Sequence, residues 1–271
     1  LMAWQTLFAQ TDRQAADASA SRGWTAPADT FSLGVASGEP RPSSVVIWTR
    51  LAPRPLQPDG GMPAQAVAVT WQVAADPRFA RIVQQGVVVT DPARAHSVHV
   101  EVDGLDSGRT YHYRFTAGGL DSPVGRTRTA PAPGADPGSL RFALAACQHY
   151  EQGAFTVHRE IAAADLDFVL FVGDYVYEGP THRRLRRRRH AVEVEREYSL
   201  ALYRIHHANY KQDPDLRACH AAHPWLMTWD DHEVRNDYDG IHNTEDDDVT
   251  PAEFLTRRDM ASQAYLEHLP L

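Results

Sequence analysis

A chain of 271 residues is long enough for two domains. Its hydrophobic fraction of 43% and charged fraction of 23% are ordinary for a globular protein. The net charge of -8 excludes a general nucleic-acid binder and suits a site that holds several cations. No apolar run is long enough to span a membrane.

Residues 1–27 read as an N-terminal tail with no complete secretory signal. From about Phe31 the apolar period becomes two. Val67, Val69, Trp71 and Val73 alternate with polar or small residues, as do Val98, Val100 and Val102, and then Tyr111, Tyr113 and Phe115. Short runs at 45–48 and 87–89 add strands. Turn signals at Pro40, at 58–61, and at Asp76-Pro77, Asp91-Pro92 and Asp103-Gly104 separate the runs. This spacing predicts an antiparallel β-sandwich over residues 28–134. The segment Leu105-Asp106-Ser107-Gly108-Arg109-Thr110-Tyr111 resembles fibronectin type III domains, in which a tyrosine anchors a corner of an Ig-like sandwich.

A Pro/Gly-rich linker covers residues 129–138. Beyond it the pattern becomes strand, helix, strand, which predicts an α/β domain over 135–271 and an α+β multidomain chain as a whole. Helices are expected at 155–164, 195–210, 216–222 and 251–267, the last with Thr250 as N-cap and Pro251 at the first helical position. The basic run at 183–190 reads as a solvated loop, with steering of an anionic substrate as its functional alternative. Asp246-Asp247-Asp248 lacks the spacing of a calcium loop and reads as solvated. The two cysteines are expected to be unpaired thiols, Cys147 functional and Cys219 packed.

Three apolar runs end in polar residues. Phe168-Val169-Leu170-Phe171-Val172, which predicts a strand buried on both faces, runs into Gly173-Asp174. The run at 225–229 leads into Asp230-Asp231-His232-Glu233-Val234-Arg235-Asn236-Asp237, and the run at 140–146 into Cys147-Gln148-His149. In open α/β sheets ligands gather beyond the carboxyl ends of strands, so these three ends predict one shared site. A turn carboxylate is the bland reading of any one of them. His149 reads as flanking or surface, and Asp230 as a residue that orders the loop presenting Asp231.

Cys147-Gln148, Gly173-Asp174-Tyr175-Val176-Tyr177-Glu178 and the 229–237 segment together resemble the alkaline phosphatase D family of metallophosphatases. The openings at 31–38 and 46–50 resemble that family's N-terminal domain. The resemblance implies a calcineurin-like metallophosphatase domain holding Fe(III) and Ca(II), with Cys147, Asp174, Tyr177, Asp231 and Asn236 as metal ligands. Cys147 would act as a ligand and not as a nucleophile. Asp174 would bridge the metals, His232 would assist the leaving group or stabilise phosphoryl charge, and Arg235 would bind a phosphate oxygen or else lie on the surface. Metal-assisted hydrolysis of a phosphate ester follows, as does export to the periplasm or the extracellular space by the twin-arginine route. The family places further ligands on later strands, so the metallophosphatase domain is expected to be incomplete at its C-terminus. The alternative is a non-catalytic binding module with a remnant phosphatase domain.

Overall fold

The computed structural model describes residues 24–180, 189, 192, 197–243 and 249–271. The basic run at 183–190, except Arg189, and Asp246-Asp247-Asp248 lie outside the described residues, as does the tail up to residue 23. The chain is α+β. Its strands are β1 (Val35–Gly38), β2 (Val45–Arg50), β3 (Val67–Ala74), β4 (Ile82–Thr90), β5 (Ser97–Val102), β6 (Thr110–Ala117), β7 (Leu120–Asp121), β8 (Gly125–Arg128), β9 (Phe142–Ala145), β10 (Phe168–Val172) and β11 (Pro224–Thr228). Its helices are α1 (Val157–Ala163), α2 (Leu200–Tyr210), α3 (Pro214–Ala222) and α4 (Pro251–His268).

The alternating residues of the first half do what their period requires. Val69, Val73, Tyr113 and Phe115 from β3 and β6 meet Val35, Val45, Ile47, Val98 and Val102 from β1, β2 and β5 in one apolar core between two antiparallel layers. Tyr111 is buried in this core, and its Oη accepts the Asp106 N–H at 2.9 Å, which ties down the bend before β6.

In the second half β9, β10 and β11 are parallel, with α1 between the first two and α2 and α3 between the second two. This sheet does not stand apart from the first half. β1 pairs with β11 in parallel and with β2 antiparallel, giving one mixed six-stranded sheet in the order β5-β2-β1-β11-β10-β9. The α4 end reaches across the seam: Trp48 Nε1 donates to the Glu267 carbonyl at 3.0 Å, and Arg50 Nη1 lies 2.7 Å from His268 Nε2. The N-terminus of α4 carries a full capping box between Thr250 and Glu253.

Among the described residues one face of β10 is covered. Val169 and Phe171 are buried with Trp225 against Ile161 of α1, Tyr210 of α2, Leu216 and Cys219 of α3 and Tyr265 of α4. On the other face Phe168 and Leu170 are half-buried and Val172 is exposed among the described residues. Leu144 of β9 is 65% exposed, and Phe142 and Val172 are exposed beside it. The four helices among the described residues pack on the Val169 and Phe171 side of the parallel strands, so alternate residues of the apolar run point the other way.

Candidate metal centre

The site is built at the carboxyl ends of β9, β10 and β11, and the first two strands end in sharp turns. Cys147 (φ 58), Gly173 (φ 100) and Asp174 (φ 56) all take left-handed backbone conformations. The Cys147 N–H donates to the Gly173 carbonyl and the Gln148 N–H to the Asp174 carbonyl, which holds the first two turns together. Gln148 is buried and reinforces them: its Nε2 donates to the Tyr175 carbonyl, and its Oε1 meets His158 of α1 at 2.8 Å.

Asp174 is the centre of the cluster. Its Oδ2 accepts from the Tyr177 hydroxyl at 3.0 Å and from the Cys147 thiol at 3.4 Å. Its Oδ1 is buried and has no hydrogen-bond partner among the described residues. Burial, together with the hydrogen bond and charge of Asp174, pushes the Cys147 thiol up; burial and the same carboxylate push the Tyr177 phenol up strongly. Asp174, Asp231 and His232 each bring a ligand atom to within 4.8 Å of the others. Asp231 also accepts the Asp237 N–H through Oδ2, which closes the loop that carries Asn236. Asn236 is half-buried in that loop. Of the five expected ligands, Cys147, Tyr177 and Asp231 gather around Asp174, while the Asn236 amide donates to Asp237 Oδ2 at 3.1 Å on the loop beyond β11.

His232 points its Nδ1 at Glu178 Oε2, 2.8 Å away. Burial would lower its pKa, but the hydrogen bond and charge of Glu178, with Asp174 and Asp231 nearby, raise it to about 9. Arg235 is not a surface residue: it is 4% exposed, with Nη1 4.0 Å from Glu178 Oε1.

Sequence reasoning passed over three residues. The His149 ring packs at a tilt of 31° against Tyr177, with centroids 4.6 Å apart, and Tyr177 packs in turn at 35° against His232 at 4.2 Å. Glu178 and Glu233 are buried carboxylates that bind backbone N–H groups of the opposite loop. Burial pushes Glu233 up to about 7, against the N–H donors of Asp230, Tyr175 and Asp174 that favour its charged form. The signal for both glutamates was their place in the two motifs. The two cysteines are free, Cys147 exposed and Cys219 buried.

The donor set fits metal ions. A thiol and a phenol meet the Asp174 carboxylate, the Asp231 carboxylate and the His232 imidazole lie beside it, and one Asp174 oxygen is buried without a hydrogen-bond partner among the described residues. An unpaired buried carboxylate oxygen is costly unless a cation compensates it.

Comparison with known proteins agrees in both halves. The profile of the PhoD-like phosphatase family matches residues 142–271, and that of the PhoD-like phosphatase N-terminal domain matches residues 16–131. Alkaline phosphatase D of Bacillus subtilis (strain 168) is 48% identical over 246 residues, 89% of this chain and 41% of the relative. A solved structure described as that of PhoD superposes with a TM-score of 0.84 at 48% identity, covering 89% of this chain and 46% of that one. The chain thus spans less than half the length of these relatives. With both halves matched, the chain belongs to the PhoD-like phosphatase family.

Proposed function

We propose that the protein is a metal-dependent phosphoric ester hydrolase, an alkaline phosphatase or phosphodiesterase, with Cys147, Asp174, Tyr177, Asp231 and Asn236 holding its metal ions. The observation that carries this reading is Asp174. One of its oxygens is buried without a partner, while the thiol and phenol protons of Cys147 and Tyr177 crowd the other. A cation at this point replaces both protons and satisfies the free oxygen. Thiolate and phenolate suit Fe(III), and the hard oxygens of Asp231 and Asn236 suit Ca(II). When bound, such ions lower the pKa of water and screen the charge of a phosphate.

The chain's own residues supply the rest. His232, aimed by Glu178, would offer a proton or a positive charge to the departing oxygen. Its Nδ1 is engaged by Glu178, so Nε2 is the nitrogen left for the substrate. Arg235 adds a buried positive charge beside Glu178 for a phosphate oxygen. Asp174, with one oxygen free and the other shared by Cys147 and Tyr177, would hold the ions at the centre of the cluster.

In fold terms we read residues 28–134 as a fibronectin III- or Ig-like sandwich, supported by two antiparallel layers around one core. We read residues 135–271 as part of a calcineurin-like metallophosphatase domain, supported by a site at the ends of parallel strands. Export to the periplasm or the extracellular space by the twin-arginine route is supported by family membership. Among the described residues no helix is long and apolar enough to cross a membrane.

The test is hydrolysis of p-nitrophenyl phosphate and bis-p-nitrophenyl phosphate by metal-loaded protein. Turnover of either ester that falls by about 10²–10⁴-fold in His232→Ala supports the reading. Equal turnover in wild type and Asp174→Ala refutes it. Absence of turnover in metal-loaded protein favours the binding-module alternative.

A further inference from the structure

The two strand-end loops after β10 and β11 each carry candidate ligands and each carry one buried glutamate. The left-handed turn at Gly173 and Asp174 brings the successive N–H groups of Asp174 and Tyr175 to one side. Such a pair of converging donors is an anion receptor. In this protein it is filled from the other loop: Glu233 accepts the Tyr175 N–H through Oε1 at 2.5 Å and the Asp174 N–H through Oε2 at 3.2 Å. Its Oε2 also accepts the Asp230 N–H at 2.8 Å.

The converse contact is made by Glu178. It accepts the Asn236 N–H through Oε1 at 2.7 Å and takes His232 Nδ1 at 2.8 Å through Oε2. An ordinary capping glutamate binds its own turn, as Glu253 does with Thr250. These two cross between loops more than fifty residues apart in sequence, and both are nearly solvent-free, Glu178 at 3% and Glu233 at 2% exposure. Each anchors the backbone of a candidate ligand on the opposite loop, Asp174 in one direction and Asn236 in the other. The loops also touch directly, because a Cβ on Gly173 would lie 2.5 Å from Asp230 Cβ.

We infer that Glu178 and Glu233 form a reciprocal clasp of positioning residues that sets the spacing of the ligands on the two loops. The inference rests on reading the cluster as a metal centre. Neither glutamate need touch a metal or substrate. Each acts through the N–H groups that it holds, and Glu178 acts also through the direction of the His232 ring. Residues that orient ligands in this way control affinity as strongly as many ligands do.

The test uses Glu178→Gln and Glu233→Gln in the intact protein, with Ca2+ alone as the probe. The change keeps side-chain volume but turns one acceptor oxygen into a donor that faces another donor. The dissociation constant for Ca2+ is expected to rise 10–100-fold in each variant. In the metal-free protein, amide exchange should accelerate at Asp174 and Tyr175 for Glu233→Gln and at Asn236 for Glu178→Gln, while core amides stay protected. The combined variant should lose less than the product of the two, since one clasp is being broken twice. Unchanged affinity in both variants, in a protein whose wild type binds Ca2+, overturns the inference even if the amides loosen. If the wild type binds no Ca2+, the metal reading fails, and the clasp is overturned if the opposing amides also exchange at the wild-type rate. Should Glu233→Gln fail to fold, Glu178→Gln decides the matter by the same two readouts.

Discussion

Gly173→Ala is the substitution that most directly probes how tightly the two loops are built. Two separate costs arise. The backbone sits at φ 100, which an L side chain adopts only with strain, and the penalty for alanine there is about 1–2 kcal/mol. The new methyl would also lie 2.5 Å from Asp230 Cβ and 2.8 Å from Asp230 N. Asp230 N cannot simply retreat, since it donates to Glu233 at 2.8 Å. Overpacking of this kind costs about 1–3 kcal/mol, for a total loss of about 2–5 kcal/mol. Gly119→Ala is the control. It has φ 83 with nothing within 4 Å of the new methyl, so only the backbone cost of about 1–2 kcal/mol applies. Urea unfolding of both variants in metal-free protein, with matching m-values, gives the comparison free of ligand linkage. An excess loss in Gly173→Ala of about 1–3 kcal/mol is expected. Equal losses in the two variants would refute the close approach of the loops.

Three further outcomes follow from the packing. Lys211, the sole lysine, is buried, with Nζ 4.6 Å from the Trp48 ring centroid and 5.6 Å from that of Tyr175, and burial followed by the charge of Arg217 lowers its pKa to about 7. The unfolded chain then binds more protons than the folded one between about pH 7 and the ordinary lysine value of about 10.4, so this residue makes stability rise with pH across that window. Lys211→Met should flatten that rise in urea unfolding and raise the midpoint at pH 7; an unchanged slope would contradict the burial argument. Tyr111→Phe removes the acceptor of the Asp106 N–H and should cost about 0.5–1.5 kcal/mol by urea unfolding, with the β-sheet circular dichroism preserved. Thr250→Ala breaks the capping box of α4 and should lower the melting temperature by roughly 2–4 °C, measured by calorimetry.

Much of this architecture was legible because it rests on periodicity and termini. β3, β5 and β6 follow the alternation of valine, tyrosine and phenylalanine, and α4 starts where Thr250-Pro251 says it must. The three strand ends were visible because apolar runs stop at Cys147, Gly173-Asp174 and Asp230-Asp231. What stayed hidden depends on partners far away in sequence. The parallel pairing of β1 with β11 links residues almost two hundred positions apart, and nothing in Val35–Gly38 marks it as a shared strand. Glu178 and Glu233 escaped because their partners are mainly backbone N–H groups, which every residue type but proline carries. Arg235 read equally well as a surface residue, and only the fold shows it buried against Glu178.

In the proposed function Asp174 anchors a metal centre with Cys147 and Tyr177. The measurement that tests it most directly is the metal content of the intact protein, by mass spectrometry and visible absorption, in wild type and Asp174→Asn. The account predicts stoichiometric metal in the wild type, with a visible charge-transfer band where thiolate or phenolate meets Fe(III), and loss of both in the variant. A wild type free of metal after loading, or a variant that keeps its full metal and colour, would contradict it.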